Sequence, residues 1–144
     1  MACVICDRAG DGRLHEGTVG GNVFDDAHWY AYHAPPESAA LGQLFLVAKR
    51  HVLDAGELSP AEAASYGPAL RGLTAALKLV VGAERVYVLA TVEGVPHFHT
   101  WLVPRLPDAT SRGLALLSAP RSCAADDARG VVDRLRAILA ASRA

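Results

Sequence analysis

The chain has 144 residues, 51% of them hydrophobic, and a formal net charge of -1. This length and apolar content predict a single domain over residues 1–144, because two ordinary domains need a longer chain. The nearly balanced charge argues against duplex nucleic acid as a partner and favours a small-molecule ligand. No apolar run approaches the roughly 20 residues that span a bilayer, and the N-terminus lacks a signal peptide, so we expect a cytoplasmic protein with no membrane partner.

Two of the three cysteines, Cys3 and Cys6, form a Cys-x-x-Cys pair near the start of the chain. A thioredoxin-like redox pair is expected at the end of a strand within a βαβ unit, so half of a metal site is the favoured interpretation. Two buried thiols without a ligand remain the alternative. The residues that follow, 7–20, are rich in Gly, Asp and Arg and are predicted to form a loop.

Three β-strands are predicted in the first third of the chain. Residues 23–24 and 29–33 are rich in aromatic and β-branched side chains and flank a turn-like Asp pair, which predicts a hairpin. Residues 34–40 contain two prolines and form a connection. The continuous apolar run 44–47 then predicts a short buried strand.

A long central helix is predicted to begin after Ser59, which can cap it, with Pro60 at the first helical position and Glu62 completing a capping box. Pro68 removes a backbone donor, so we expect a kink or a restart there. Gly82 is the expected end of the helix. Apolar residues at spacings of three and four define its buried face: Tyr66, Leu70, Leu73, Leu77 and Val80.

The second half of the chain continues with a strand over residues 86–91 and an antiparallel neighbour after the turn at Glu93 and Gly94. Residues 108–120 look irregular, and a final helix is predicted over 124–142. Taken in order, the elements predict an α+β fold: an antiparallel sheet of about five strands with one central long helix and a C-terminal helix.

The neighbouring strand carries His97, His99 and Trp101, whose spacing of two places them on one face. Two imidazoles on one face are either exposed or hold something such as a metal ion or an anion. His99 therefore has two interpretations. It is a base, acid or nucleophile if its other nitrogen is held by an acceptor, or it is a satisfied structural histidine.

A Cys2His2 set of ligands is available for a closed tetrahedral zinc site. Its histidines are His51, which directly follows an apolar strand, and His97, which we expect to begin another. On one sheet these two would lie close enough for the N-terminal cysteines to join them. The four candidate zinc ligands are Cys3, Cys6, His51 and His97.

Several of these segments resemble the histidine triad (HIT) family. Residues 97–105 resemble its signature of alternating histidines followed by Pro-Arg, and residues 3–7 resemble the Cys-x-x-Cys of its zinc-binding members. Residues 41–51 are similar to the family's glycine, apolar strand, basic pair and histidine, and residues 30–33 to a strand that lines its nucleotide pocket. The recognisable HIT core covers residues 1–107, leaving 108–144 as a loop plus the C-terminal helix.

The resemblance implies a HIT-like fold, the same four residues as ligands of a structural Zn2+ ion, and a nucleotide or nucleotide conjugate as ligand. It further implies a hydrolase or transferase acting at the α-phosphate, with His99 as the nucleophile that becomes transiently nucleotidylated. Trp101 and His33 would contribute to the substrate pocket. HIT proteins are often dimers, which implies a homodimer formed through the long helix and the strand over residues 86–91.

The chain departs from the HIT pattern at three places. Trp101 stands where the third histidine belongs, and an indole cannot shuttle a proton. Ala34 replaces the acidic residue that binds ribose, and residues 92–96 form a shorter approach to the histidines. The alternative is therefore a zinc-stabilised nucleotide-binding or structural protein that has lost turnover. Lys49, Arg50 and Arg105 either supply positive potential near a phosphate or are solvated surface residues.

Overall fold

A computed structural model describes residues 2–13 and 17–143, and within them the chain has the predicted α+β fold. Five antiparallel strands form one sheet in the order β1-β2-β3-β5-β4. None of the described helices has the length and apolar character needed to cross a membrane. The strands are β1 (Asn22–Asp25), β2 (Trp29–His33), β3 (Leu44–Ala48), β4 (Arg85–Leu89) and β5 (His99–Arg105), and the helices are α1 (Val4–Gly10), α2 (Pro60–Val81), α3 (Gly113–Ser118) and α4 (Ala125–Ala141).

The two faces of the sheet have different coverings. Alternate residues such as Ala31, Leu46 and Leu102 point into the hydrophobic core, which α2 and α4 complete with Leu73 and Leu135. The intervening residues lie on the opposite face, where α1 lies beside them. We call this second surface the aromatic face; its members are Tyr30, Tyr32, Phe45, His99 and Trp101.

Helix α2 shows how local sequence and packing combine. Ser59 and Glu62 form the predicted capping box, and Gly82 ends the helix with a φ of 67°. The restart expected at Pro68 does not occur. The helix runs from Pro60 to Val81 without a break. Its apolar residues on both sides of the proline pack into the core, and this burial offsets the lost hydrogen bond.

Several predicted boundaries are wrong. Helix α1 begins in the first cysteine motif and occupies the start of the predicted loop 7–20, of which residues 14–16 lie outside the described part of the chain. Helix α3 lies within residues 108–120, which were expected to be irregular. Helices of seven and six residues are too short to show a clear apolar period. Strand β5 begins at His99, so His97 lies just before it.

An ion pair between the buried Glu62 and the half-exposed Arg50 fixes the start of α2. The guanidinium of Arg50 donates to both carboxylate oxygens of Glu62, at 2.9 and 2.8 Å, and the Ser59 amide donates to the same carboxylate at 2.7 Å. Glu62 is 6% exposed. Hydrogen bonding from Arg50, followed by the bond from Ser59, lowers the pKa of Glu62 from its ordinary 4.5 to about 2.

We therefore expect Glu62→Gln to destabilise the protein by about 1–2 kcal/mol at neutral pH, a value reduced because Arg50 is half exposed. A lowered carboxyl pKa contributes stability above the ordinary pKa, and this contribution disappears as the pH falls through about 2. Urea unfolding from pH 7 to pH 2 should show the two proteins converging below pH 4.5. The exposed Glu37→Gln is the matched control. A wild-type advantage that persists unchanged at pH 2 would contradict this assignment.

A candidate metal centre beside a histidine-lined pocket

The fold brings the four predicted metal ligands together. Cys3 immediately precedes α1 and Cys6 lies within it, while His51 follows β3 and His97 precedes β5. Their ligand atoms all lie within 4.8 Å of one another. Residues separated by up to 94 positions therefore meet at one point.

The distances within the cluster fit a tetrahedral zinc ion. Zinc bonds of about 2.3 Å to sulfur and 2.0 Å to nitrogen place two nitrogens about 3.3 Å apart, and a nitrogen and a sulfur about 3.5 Å apart. The Nδ1 atoms of His51 and His97 are 3.3 Å apart, and three of the four nitrogen–sulfur distances are 3.4, 3.4 and 3.5 Å. The cluster fits a structural Zn2+ site with four protein ligands.

Hydrogen bonding orients the His97 ring for this role. Its Nε2 donates to the carbonyl oxygen of Ala48 at 2.6 Å, which leaves the lone pair on Nδ1, the atom that faces the cluster. Burial lowers the pKa of His97 and so favours the neutral imidazole that a metal requires. Burial and the adjacent Cys3 raise the pKa of the Cys6 thiol, so a bound cation is needed to hold the Cys6 sulfur as a thiolate.

His99 lies next to the cluster but faces a different space, a pocket of about 330 Å³ between α1 and the aromatic face. Its Nδ1 is 2.7 Å from the carbonyl oxygen of His97. A carbonyl can only accept, so Nδ1 carries the proton and Nε2 carries the lone pair. The described lining residues are Val4, Ile5, Arg8, Tyr32, Phe45, Thr91, Gly94, Val95, His99 and Trp101.

Trp101 forms an aromatic wall of this pocket. It lies opposite Phe45 in the β3–β5 pairing, with ring centroids 5.4 Å apart in an edge-to-face arrangement. Its indole Nε1 is buried and has no hydrogen-bond partner among the described residues. The side chain offers ring surface to a ligand, and its indole cannot transfer a proton at the position where a third histidine would stand.

His33 does not share the pocket with His99. It lies on the core side of β2, 1% exposed, whereas its neighbour Tyr32 lines the pocket. The amide of Gly42 donates to its Nε2 at 2.9 Å, and its Nδ1 donates to the carbonyl oxygen of Ala34 at 2.6 Å. Both ring nitrogens are therefore engaged with backbone groups, and burial lowers the pKa of this histidine.

The basic residues identified in the sequence are engaged elsewhere. Lys49 pairs with Asp25 at 2.6 Å, Arg50 with Glu62, and Arg105 with Glu84 at 2.5 Å. None of these three cations lines the pocket of His99.

Arg8 lines that pocket and is absent from the sequence-based candidates. Its spacing of three from Ile5 and four from Val4 is helical and places the three side chains on one side of α1. That signal is confined to a single helical turn, which is too little to predict a helix.

The segment between β4 and β5 closes the pocket with Thr91, Gly94 and Val95. Within it, Val92 has a φ of 56°, a conformation that β-branched residues rarely adopt. Its side chain packs against the hydrophobic core, which holds the turn in place. A larger groove of about 680 Å³ lies between α2 and α4, but no histidine or cysteine is among its described lining residues.

Comparison with solved structures identifies the class of fold. The chain matches a zinc-bound histidine triad protein from Mycobacterium smegmatis with a TM-score of 0.73 and 19% identity, over 99% of this chain and 96% of that one. A hypothetical histidine triad nucleotide-binding protein from Sulfolobus tokodaii matches with a TM-score of 0.72 and 15% identity, over 98% and 94%. A histidine triad protein from Bradyrhizobium japonicum gives 0.71 and 20%, over 88% and 94%.

The chain therefore has the HIT fold, as its sequence motifs predict. No sequence-family profile and no curated protein matches it. At these identities the likeness establishes the fold, and the chemistry of the site rests on the residues described above.

We expect purified protein to contain one zinc ion per chain, and Cys3→Ser and Cys6→Ser to lose most of it. Because the site ties α1 to the sheet, zinc loss should lower the unfolding free energy by at least about 2 kcal/mol and the melting temperature by about 5 °C or more. Elemental analysis and thermal denaturation measure both effects.

Cys123→Ser is the matched control for the zinc experiment. Cys123 is a free cysteine outside the cluster, so its substitution should leave the zinc content unchanged. Near-zero zinc in wild-type protein purified without chelators would contradict the assignment.

Proposed function

We propose that the pocket binds a nucleotide or nucleotide conjugate and that His99 attacks its α-phosphorus, making the protein a nucleotidyl hydrolase or transferase. The observation that carries this proposal is the hydrogen bond from His99 Nδ1 to the His97 carbonyl, which leaves the Nε2 lone pair available in the pocket. The structural similarity to the Sulfolobus tokodaii protein, which is named as a nucleotide-binding protein, supports the ligand class.

The proposed reaction has two displacements. The Nε2 lone pair forms a bond to phosphorus while the bond to the leaving group breaks, giving a nucleotidyl-histidine. The imidazole then carries a positive charge, which the His97 carbonyl stabilises by accepting the Nδ1 hydrogen bond. Water or another hydroxyl acceptor next attacks phosphorus, the bond between phosphorus and Nε2 breaks, and the acceptor's proton passes to solvent, which restores neutral His99. A bound zinc ion with four protein ligands would supply folding energy, because its coordination is closed.

The lining residues favour particular substrate features. Tyr32, Phe45 and Trp101 offer ring surfaces against which a base can pack. Ala34 is buried and offers no side-chain acceptor for a ribose hydroxyl. Because Trp101 cannot protonate a departing group, phosphate or pyrophosphate leaving groups are favoured over amines and alcohols.

The second candidate function is a nucleotide-binding protein without turnover. Trp101 favours this second function. Its indole nitrogen is buried, and an indole cannot act as a general acid where the HIT pattern has its third histidine. In this case nucleotides would stabilise the protein against heat, and His99 would remain unmodified.

Rapid-quench mass spectrometry with dinucleoside polyphosphates, nucleotide sugars and nucleoside phosphoramidates separates the two candidates. We expect a nucleotidyl adduct on wild-type protein with at least one substrate, formed fastest where the leaving group is a phosphate. His99→Ala should reduce adduct formation by at least about a thousandfold, because the nucleophile is lost.

His28→Ala is the matched control, since His28 is a histidine outside the pocket. Thermal stabilisation by nucleotides with no adduct on wild type would favour the binding protein. An equal adduct on His99→Ala would show that another residue is the nucleophile.

We further propose that two chains pair through β4 and α2. Within the described residues β4 is one of the two edge strands of the sheet, Val88 on it is 49% exposed, and Leu79 on α2 is 75% exposed. Light scattering should give twice the mass of one chain, and Val88→Lys should shift it toward one chain by placing a charge at the edge. Leu114→Lys on α3 is the control. A wild-type mass of one chain would exclude this dimer.

A further inference from the structure

One cation lies among the described residues that line the pocket of His99, and it is Arg8. No aspartate or glutamate is among those lining residues, so the formal charge of the lining is positive. The Arg8 side chain is exposed, and no described residue forms a hydrogen bond or ion pair with its guanidinium. Its charge is therefore available to a ligand.

We infer that Arg8 is the phosphate-binding residue of this pocket and that it selects anionic ligands over neutral ones of the same shape. This inference rests on the proposed function, because it assigns a contact within the same pocket. A guanidinium presents two parallel N–H donors that match two phosphate oxygens.

The other basic residues identified in the sequence do not compete with Arg8 for a phosphate group. Lys49, Arg50 and Arg105 each pair with a carboxylate, so their charges are already compensated. The charge of Arg8 also acts on the pocket wall. Burial raises the pKa of Tyr32, and the positive charge of Arg8 opposes that rise.

The position of Arg8 depends on how α1 is held. Cys3 and Cys6 connect the start of this helix to His51 and His97, and Arg8 follows one half-turn after Cys6. Val4 and Ile5 lie four and three positions before Arg8, respectively, and line the same pocket. The helix that begins after Cys3 and contains Cys6 thus also carries the cation on one pocket wall.

The placement suits the proposed chemistry. As His99 attacks phosphorus, negative charge remains on the non-bridging oxygens, and a guanidinium in the pocket stabilises it. The same contact holds the phosphate before the reaction. Arg8 should therefore contribute to binding even where no adduct forms, so binding can be measured separately from turnover.

The test compares AMP with adenosine by isothermal titration calorimetry on zinc-loaded protein. We expect wild type to bind AMP at least about tenfold more tightly than adenosine, because one charged hydrogen-bond pair is added. Arg8→Gln should weaken AMP binding about tenfold or more while changing adenosine binding less than about twofold. Arg8→Lys should retain part of the preference, since it keeps the charge but loses the paired donors.

Arg71→Gln is the matched control, because it removes one positive charge from α2 outside this pocket. Circular dichroism and zinc content verify that each variant is folded and loaded. Unchanged AMP binding by Arg8→Gln, or an equal loss with Arg71→Gln, would overturn the role of Arg8 while leaving nucleotide binding intact. Wild type that binds neither ligand would overturn both proposals. A preference for AMP that depends on Arg8, together with no His99 adduct in the rapid-quench experiment, would support the role of Arg8 and overturn the catalytic proposal.

Discussion

The site depends on one cluster, in which the sulfur atoms of Cys3 and Cys6 lie beside the ring nitrogens of His51 and His97. Helix α1 has seven residues and buries none of those within it. A helix of that length has little stability of its own, so its position must come from tertiary contacts. The metal centre supplies such a contact, and it places one wall of the pocket against the aromatic face of the sheet.

His97 links the structural and chemical parts of the site. Its Nδ1 faces the metal cluster, its Nε2 is held by Ala48, and its carbonyl oxygen accepts the hydrogen bond that sets the tautomer of His99. A change that moved His97 would therefore disturb both the metal centre and the orientation of His99. His97 lies two residues before His99, the first residue of β5, and its carbonyl oxygen is therefore within reach of the His99 ring.

Sequence patterns predicted the features that depend on local spacing or on donor chemistry. The capping box at Ser59 and Glu62 and the Cys2His2 set belong to this group. His33 was expected at the pocket, but strand alternation turns it into the core and presents Tyr32 instead. The sequence did not identify Arg8 as a pocket residue. Helix α1 is positioned by residues distant in sequence, and one helical turn is too short to show an apolar period.

X-ray absorption at the zinc edge of purified protein tests the Cys2His2 centre itself, because it reports the atoms bound to the metal. We expect two sulfur ligands at about 2.3 Å and two nitrogen ligands at about 2.0 Å. Cys6→Ser should remove one sulfur from the coordination shell or abolish zinc binding. A coordination shell of nitrogen and oxygen alone in the wild-type protein would exclude this centre, because Cys3 and Cys6 would then not bind the metal and α1 would not be tied to the sheet through it.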